Sequence, residues 1–132
     1  MTAFVHQIRV RYQETDMQRH VYFSRYLEYA DIAMTEYFRE LGWDYEELID
    51  LGFDPVIGKL EIEYQQPARF DEVIEVEVTP ARIGNSSFAL DFAIRGPGDR
   101  PAAKATISYV NFDATTRETR PVPEVVVAAL GS

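Results

Sequence analysis

The sequence predicts an α+β domain, one antiparallel sheet with a single long helix laid against it. Three observations carry that reading. Four separated runs alternate apolar with polar residues, and a fifth is rich in β-branched and aromatic residues, as strands are. One stretch between the first run and the rest repeats its apolar residues at spacings of three and four, as a helix with one buried face does. Most connections after the helix are short enough for hairpins, which makes neighbouring strands antiparallel. With 132 residues, the chain is expected to form one domain over its whole length, 1–132, large enough for a core of its own.

From Phe4 to Tyr12 the residues Phe4, His6, Ile8, Val10 and Tyr12 share one parity, and Gln7, Arg9 and Arg11 the other, which predicts a half-buried first strand. Gln13 to Phe23 holds no sustained period and reads as a loop, followed by Ser24, a good helix-starting residue. Leu27, Ala30, Met34, Phe38 and Leu41 then define the helix, roughly 18 residues or about 27 Å long, and Gly42 ends it. Tyr45 to Leu51 is expected to add one short helical turn. Leu60, Ile62 and Tyr64 oppose Lys59, Glu61 and Glu63; Ile74, Val76 and Val78 oppose Glu75 and Glu77; Phe88, Leu90, Phe92 and Ile94 alternate with Ser87, Ala89, Asp91 and Ala93. Lys104 to Phe112 is the fifth strand, and Glu124 to Leu130 a final short helix. Pro67, Gly84-Asn85 and Gly96-Pro97-Gly98-Asp99 mark the turns. A five-stranded sheet covered by one helix leaves strand edges open, so a homo-oligomer is expected.

Apolar residues at 46% and charged residues at 27% are globular composition. A formal net charge of −9 argues against nucleic acid or an anionic membrane as the main partner. The chain has no cysteine and only two histidines, His6 and His20, which removes thiolate chemistry and nearly excludes a structural zinc site. Neither a signal-peptide stretch nor a membrane-span window is present, so a soluble cytoplasmic protein is the expectation. No metal, flavin or nucleotide motif is found, so no cofactor is expected.

The loop from Gln13 to Phe23 is the place to look for chemistry. It sets Glu14, Asp16 and His20 just before a helix N-terminus, whose free N–H groups can hold an oxyanion or polarise a carbonyl. Asp16 can then act as a nucleophile or as a base on water. From the residues alone, the plainer reading is that Glu14 or Asp16 caps a turn. His20 reads either as a general base or as a residue orienting the loop, and His6, on the buried parity, as a core or interface histidine. Glu28, Asp31, Glu36 and Glu40 read as the solvated helix face, although one of them can reach a cleft.

The run Arg9-Val10-Arg11-Tyr12-Gln13-Glu14-Thr15-Asp16-Met17-Gln18-Arg19-His20-Val21-Tyr22-Phe23-Ser24-Arg25-Tyr26-Leu27-Glu28-Tyr29 resembles the opening of hotdog-fold acyl-CoA thioesterases of the 4-hydroxybenzoyl-CoA thioesterase type. Tyr64-Gln65-Gln66-Pro67-Ala68-Arg69-Phe70-Asp71-Glu72, Arg82 to Phe88, Val110 to Asp113 and Arg120 to Pro123 resemble later segments of the same family, so that the likeness spans nearly the whole chain. The resemblance implies a hotdog fold, a five-stranded antiparallel sheet wrapped around the one long helix. It also implies pairing of two subunits into a continuous sheet, hence a homodimer or a homotetramer of paired dimers, with acyl-CoA as substrate.

Carried onto this sequence, the resemblance puts the catalytic carboxylate at Asp16 and the carbonyl-polarising N–H at Phe23, with His20 beside them. Tyr22, Tyr26, Lys59 and Arg82 are expected to bind substrate, Lys59, Arg82 and Lys104 being candidates for the CoA phosphates. Gly84 and Asn85 stand where some relatives have basic residues. The family's glycine before His20 is Arg19 here, which predicts a loop less free to turn left-handed and tilts the expected acyl group from aromatic toward fatty. Two other readings are kept: a non-catalytic module binding an acyl thioester or apolar ligand, and a hydratase or dehydratase, which requires a histidine and a carboxylate acting together.

Overall fold

The alternation in the sequence is realised strand by strand. The computed structural model describes residues 3–131. The elements are β1 (Phe4–Arg9), α1 (Arg25–Leu41), α2 (Tyr45–Leu51), β2 (Pro55–Tyr64), β3 (Val73–Ile83), β4 (Ser87–Gly96), β5 (Arg100–Asp113), β6 (Glu118–Thr119) and α3 (Glu124–Gly131), with 3₁₀ turns at Tyr12–Glu14 and Pro97–Asp99. The sheet runs β1-β3-β4-β5-β2, every pair antiparallel, and β6 adds a two-residue ladder to β5. The five expected strands are present; β6, too short to show a period, is a sixth.

Ile74, Val76 and Val78 of β3 and Phe88, Leu90, Phe92 and Ile94 of β4 are buried on the inner face, against which α1 and α3 pack. Burying side chains of this size stabilises the fold by about 2 kcal/mol each. At one end Phe88 stacks on Tyr109 at 5.0 Å between ring centroids and meets Phe53 at 5.5 Å and Phe38 of α1 at 6.3 Å. The outer face is wet and ionic. Arg95 pairs with Glu77 at 2.7 Å and Glu75 at 3.7 Å, Lys104 with Glu63 at 3.3 Å, Lys59 with Glu61 at 3.0 Å, and the Thr106 hydroxyl donates to Asp91 at 2.6 Å.

Several boundaries differ from the sequence reading. The first strand stops at Arg9. Val10 instead exchanges backbone hydrogen bonds with Glu72 and Asp71, and Tyr12, expected on the buried parity, sits in a 3₁₀ turn with 78% of its surface exposed. β2 begins at Pro55 rather than near Lys59, because Val56, Ile57 and Gly58 break the alternation at a register shift between Ile57 and Lys59. The buried face of α1 is Tyr26, Tyr29, Ala30, Ala33, Tyr37 and Phe38, so the stripe expected through Leu27, Met34 and Leu41 is its half-buried flank. Ser24 precedes α1 in helical conformation and caps nothing with its side chain; Arg25 N–H already donates to Tyr22 C=O at 2.9 Å. Gly42, at φ 116°, ends α1 in the left-handed conformation that glycine adopts without steric cost.

Asn111 explains why the far end of the chain returns to the sheet. It is fully buried. Its amide donates to Gly52 C=O at 2.9 Å and Pro121 C=O at 3.0 Å, while its side-chain oxygen accepts from Asp54 N–H at 2.9 Å. One side chain thus joins β5, the end of α2, the start of β2 and the segment leading to α3, with no polar group of its amide left unpaired.

Candidate active site

Two chain segments cross to build the site. In the first, Asp16 N–H donates to His20 C=O at 2.9 Å and Arg19 N–H to Asp16 C=O at 2.9 Å, closing a tight loop. Arg19 adopts φ 68° there, the left-handed conformation its side chain was expected to disfavour, at a cost of roughly 1 kcal/mol. The second segment is Pro67–Arg69. Val21 N–H donates to Ala68 C=O at 2.9 Å, His20 pairs with Arg69 as an antiparallel bridge, and Ala68 N–H donates to the Tyr26 hydroxyl at 3.1 Å. Ala68 is fully buried inside this clasp.

Glu14 anchors the loop from below. Its carboxylate accepts the Tyr29 hydroxyl and Arg11 N–H, both at 2.8 Å, and its carbonyl accepts Tyr22 N–H at 2.9 Å. The turn-capping reading therefore holds for Glu14. Asp16 also closes a turn, Oδ1 accepting Gln18 N–H at 2.9 Å, but its other oxygen has no partner among the described residues. Phe23 N–H and Ser24 N–H, at the mouth of α1, likewise have no acceptor among the described residues. Tyr22 C=O, on the same peptide unit as Phe23 N–H, is held by Arg25 N–H. Tyr64 donates its hydroxyl to Phe23 C=O at 2.9 Å, fixing the next unit.

Beside them lies a cleft of about 310 Å³, whose lining includes Asp16, His20, Tyr22, Phe23 and Tyr26. Five of the seven expected site residues are therefore brought together. Tyr22 and Phe23 are exposed and their rings meet at 4.6 Å, whereas Tyr26 lies buried with its hydroxyl committed to Ala68. Burial raises the Tyr26 hydroxyl above the ordinary phenol range, and desolvation raises Tyr64 likewise, so both are neutral. Val21, Tyr64, Gln65, Gln18, Pro67 and Ala102 complete the wall and were given no site role from sequence. Lys59 and Arg82 lie outside it. Lys59 is neutralised by Glu61, and Arg82 donates to the Ser87 hydroxyl at 3.1 Å, nine residues along β3 from Val73.

The His20 ring has no carboxylate partner among the described residues, so the paired histidine and carboxylate of a hydratase are not assembled within the chain. No three acidic or histidine side chains converge as metal ligands among the described residues. A second cavity of about 350 Å³ lies along the C-terminal half of α1, between Asp31, Phe38, Trp43 and Tyr109. It contains none of the seven expected site residues, although Asp31, one of the helix-face carboxylates that can reach a cleft, lines it. The cleft at Asp16 is the better candidate because it is lined by both Asp16, with one carboxylate oxygen, and Phe23, with an N–H, that lack partners among the described residues.

The sequence model of the thioesterase-like superfamily matches residues 10–130. The chain belongs to that superfamily. Among curated relatives, the acyl-CoA thioester hydrolase YbgC of Escherichia coli O6:H1 is 26% identical to this superfamily member over 127 residues, covering 96% of this chain and 95% of the relative. The 1,4-dihydroxy-2-naphthoyl-CoA hydrolase of Synechococcus elongatus is 26% identical, covering 94% and 92%. In three dimensions this superfamily member overlays the 1,4-dihydroxy-2-naphthoyl-CoA thioesterase Slr0204 from Synechocystis with a TM-score of 0.89 at 20% identity, covering 99% and 97% of the two chains. The overlay shows the shared hotdog fold.

Proposed function

We propose that the chain is an acyl-CoA thioesterase, converting water and a fatty or aromatic acyl-CoA into the free acid and CoA. The observation that carries this is that Asp16 and Phe23, whose N–H has no acceptor among the described residues, line one cleft. The Phe23 N–H, with the partial positive charge of the α1 N-terminus behind it, donates to the thioester carbonyl oxygen and stabilises the negative charge that grows there. The Asp16 carboxylate attacks the carbonyl carbon, or takes a proton from a water that does. The carbon–sulfur bond breaks, CoA leaves as the thiolate and takes up a proton. In the direct route, water then hydrolyses the Asp16 anhydride. Tyr22, Phe23, Tyr26 and Tyr64 give the cleft aromatic walls for the acyl group. The chain works as a homodimer joined through β2, an edge strand that among the described residues pairs with β5 alone and exposes Val56 and Ile57.

The test is release of thiol from short, medium, long and aromatic acyl-CoAs by the native protein and by Asp16→Asn. Asparagine still offers an oxygen to Gln18 N–H, so the loop survives the substitution. The expected loss is at least about 100-fold in turnover, with an unchanged melting curve. Full activity in the folded variant would remove Asp16 from the mechanism.

A further inference from the structure

An acyl-CoA carries phosphates, and a site for them here rests on the thioesterase reading of the Asp16 cleft. A chain of net charge −9 repels such a substrate except where the local balance differs. Around that cleft it does: segments 9–20 and 69–72, with Arg100, hold five arginines against four carboxylates. Most of those carboxylates are already engaged. Asp71 faces Arg9 at 3.4 Å, and Glu72 Oε1 accepts both Arg100 at 2.7 Å and the backbone N–H of Arg69 at 2.8 Å. Glu14 is committed to Tyr29 and Arg11 N–H.

The guanidinium groups of Arg11, Arg19 and Arg69 remain, the last two beside His20. Arg19 and Arg69 are exposed, and neither side chain has a carboxylate or hydrogen-bond partner among the described residues. The backbone brings them together, for Arg69 is the register partner of His20 and Arg19 is its chain neighbour. Paired residues of an antiparallel bridge send their side chains to the same face, so Arg69 leaves the ladder on the side of His20, which lines the cleft with Gln18 and Pro67. Arg19 also occupies a left-handed position where glycine would carry no strain. Strain of this kind persists where the side chain supplies something the fold itself does not need.

We propose that Arg19 and Arg69 hold the phosphates of the CoA nucleotide at the mouth of the Asp16 cleft. Guanidinium forks match phosphate oxygens in pairs, and two on adjoining segments make a clamp. The cations first expected in this role are spent or distant. Lys59 and Lys104 are neutralised by Glu61 and Glu63, and Arg82 stands about 30 Å along β3 from the turn that carries Arg69.

The experiment compares one acyl group carried on CoA and on pantetheine, which lacks the nucleotide phosphates, in the native protein and in Arg19→Gln, Arg69→Gln and Arg82→Gln. The ratio of kcat/KM for acyl-CoA to that for acyl-pantetheine is expected to fall about tenfold in each of the first two variants, equivalent to about 1.4 kcal/mol, and to hold in the third. Arg19→Gly should lower the same ratio while raising the thermal midpoint, a combination a purely structural arginine does not produce. Equal losses on both substrates, an unchanged ratio, or a fall confined to Arg82→Gln would overturn the proposal. Calorimetric binding of adenosine 3′,5′-bisphosphate separates this inference from the reading beneath it. Binding lost in the two variants of a protein that hydrolyses no thioester leaves the phosphate clamp standing and removes the thioesterase; turnover with no such binding does the reverse.

Discussion

Tyr64 holds the peptide unit next to the one whose N–H the proposed chemistry uses. Its hydroxyl reaches Phe23 C=O at 2.9 Å from a strand 41 residues away in sequence, so the turn into α1 is fixed by β2 as well as by the helix. Tyr64→Phe keeps the ring packed against Phe23 and Tyr26 and deletes only that bond. A lost hydrogen bond of this kind is worth about 1 kcal/mol, so turnover should drop about fivefold with KM nearly unchanged. Steady-state kinetics decide it: an unaltered kcat means the Phe23 N–H is oriented without Tyr64. Asp16 and His20 were legible in the sequence because polar residues crowd immediately before a helix start. Tyr64 was not, since its parity with Leu60 and Ile62 marks it as a core residue and nothing local announces a partner at Phe23. Nor does a lysine in a sequence reveal whether a neighbour cancels it, and Glu61 does so for Lys59.

Among the elements, α1 shows what periodicity conveys and what it leaves out. Its existence and its end at Gly42 follow from apolar spacing and from glycine. The rotation of its buried face does not, because tyrosine counts as apolar or polar according to where its hydroxyl goes. Tyr26 and Tyr29 face inward because Ala68 N–H and Glu14 meet their hydroxyls. That packing has a pH signature. Burial raises Tyr26, Tyr29 and Tyr37 above the ordinary value of 10.0, and the Glu14 carboxylate raises Tyr29 further. Below pH 10 these tyrosines are protonated in folded and unfolded chains alike, and their contribution is intact. Above it the unfolded chain ionises first, so stability should fall as pH rises, by at most about 1.4 kcal/mol per pH unit for each. Urea midpoints measured from pH 8 to 11 should hold and then decline steeply, less so in Tyr29→Phe. A flat profile to pH 11 would mean these hydroxyls ionise as freely in the folded protein as outside it.

At the scale of the whole molecule, the order of elements along the chain was legible in the sequence and led to the expectation of association. The edge proposed to meet a partner was identified only when β2 proved to start at Pro55. Its ten residues expose an unpaired ladder with Val56 and Ile57 at 47% and 57% accessibility. Sedimentation equilibrium should find a dimer, and Ile57→Lys should shift it toward monomer by setting charges against each other along the edge. A native protein that sediments as a monomer at all concentrations would remove β2 from this role. The outer face of the sheet carries a different consequence. Two sheets packed back to back lie about 10 Å apart, with no room for water between them. Laying this face on another would strip the solvent from Arg95, Glu75, Glu77, Lys104 and Glu63 at once, and each desolvated ion costs several kcal/mol unless it is ideally paired. A larger assembly of this protein must therefore grow through its helical layer or its strand edges, leaving the ionic wall as the side it turns to the macromolecules around it.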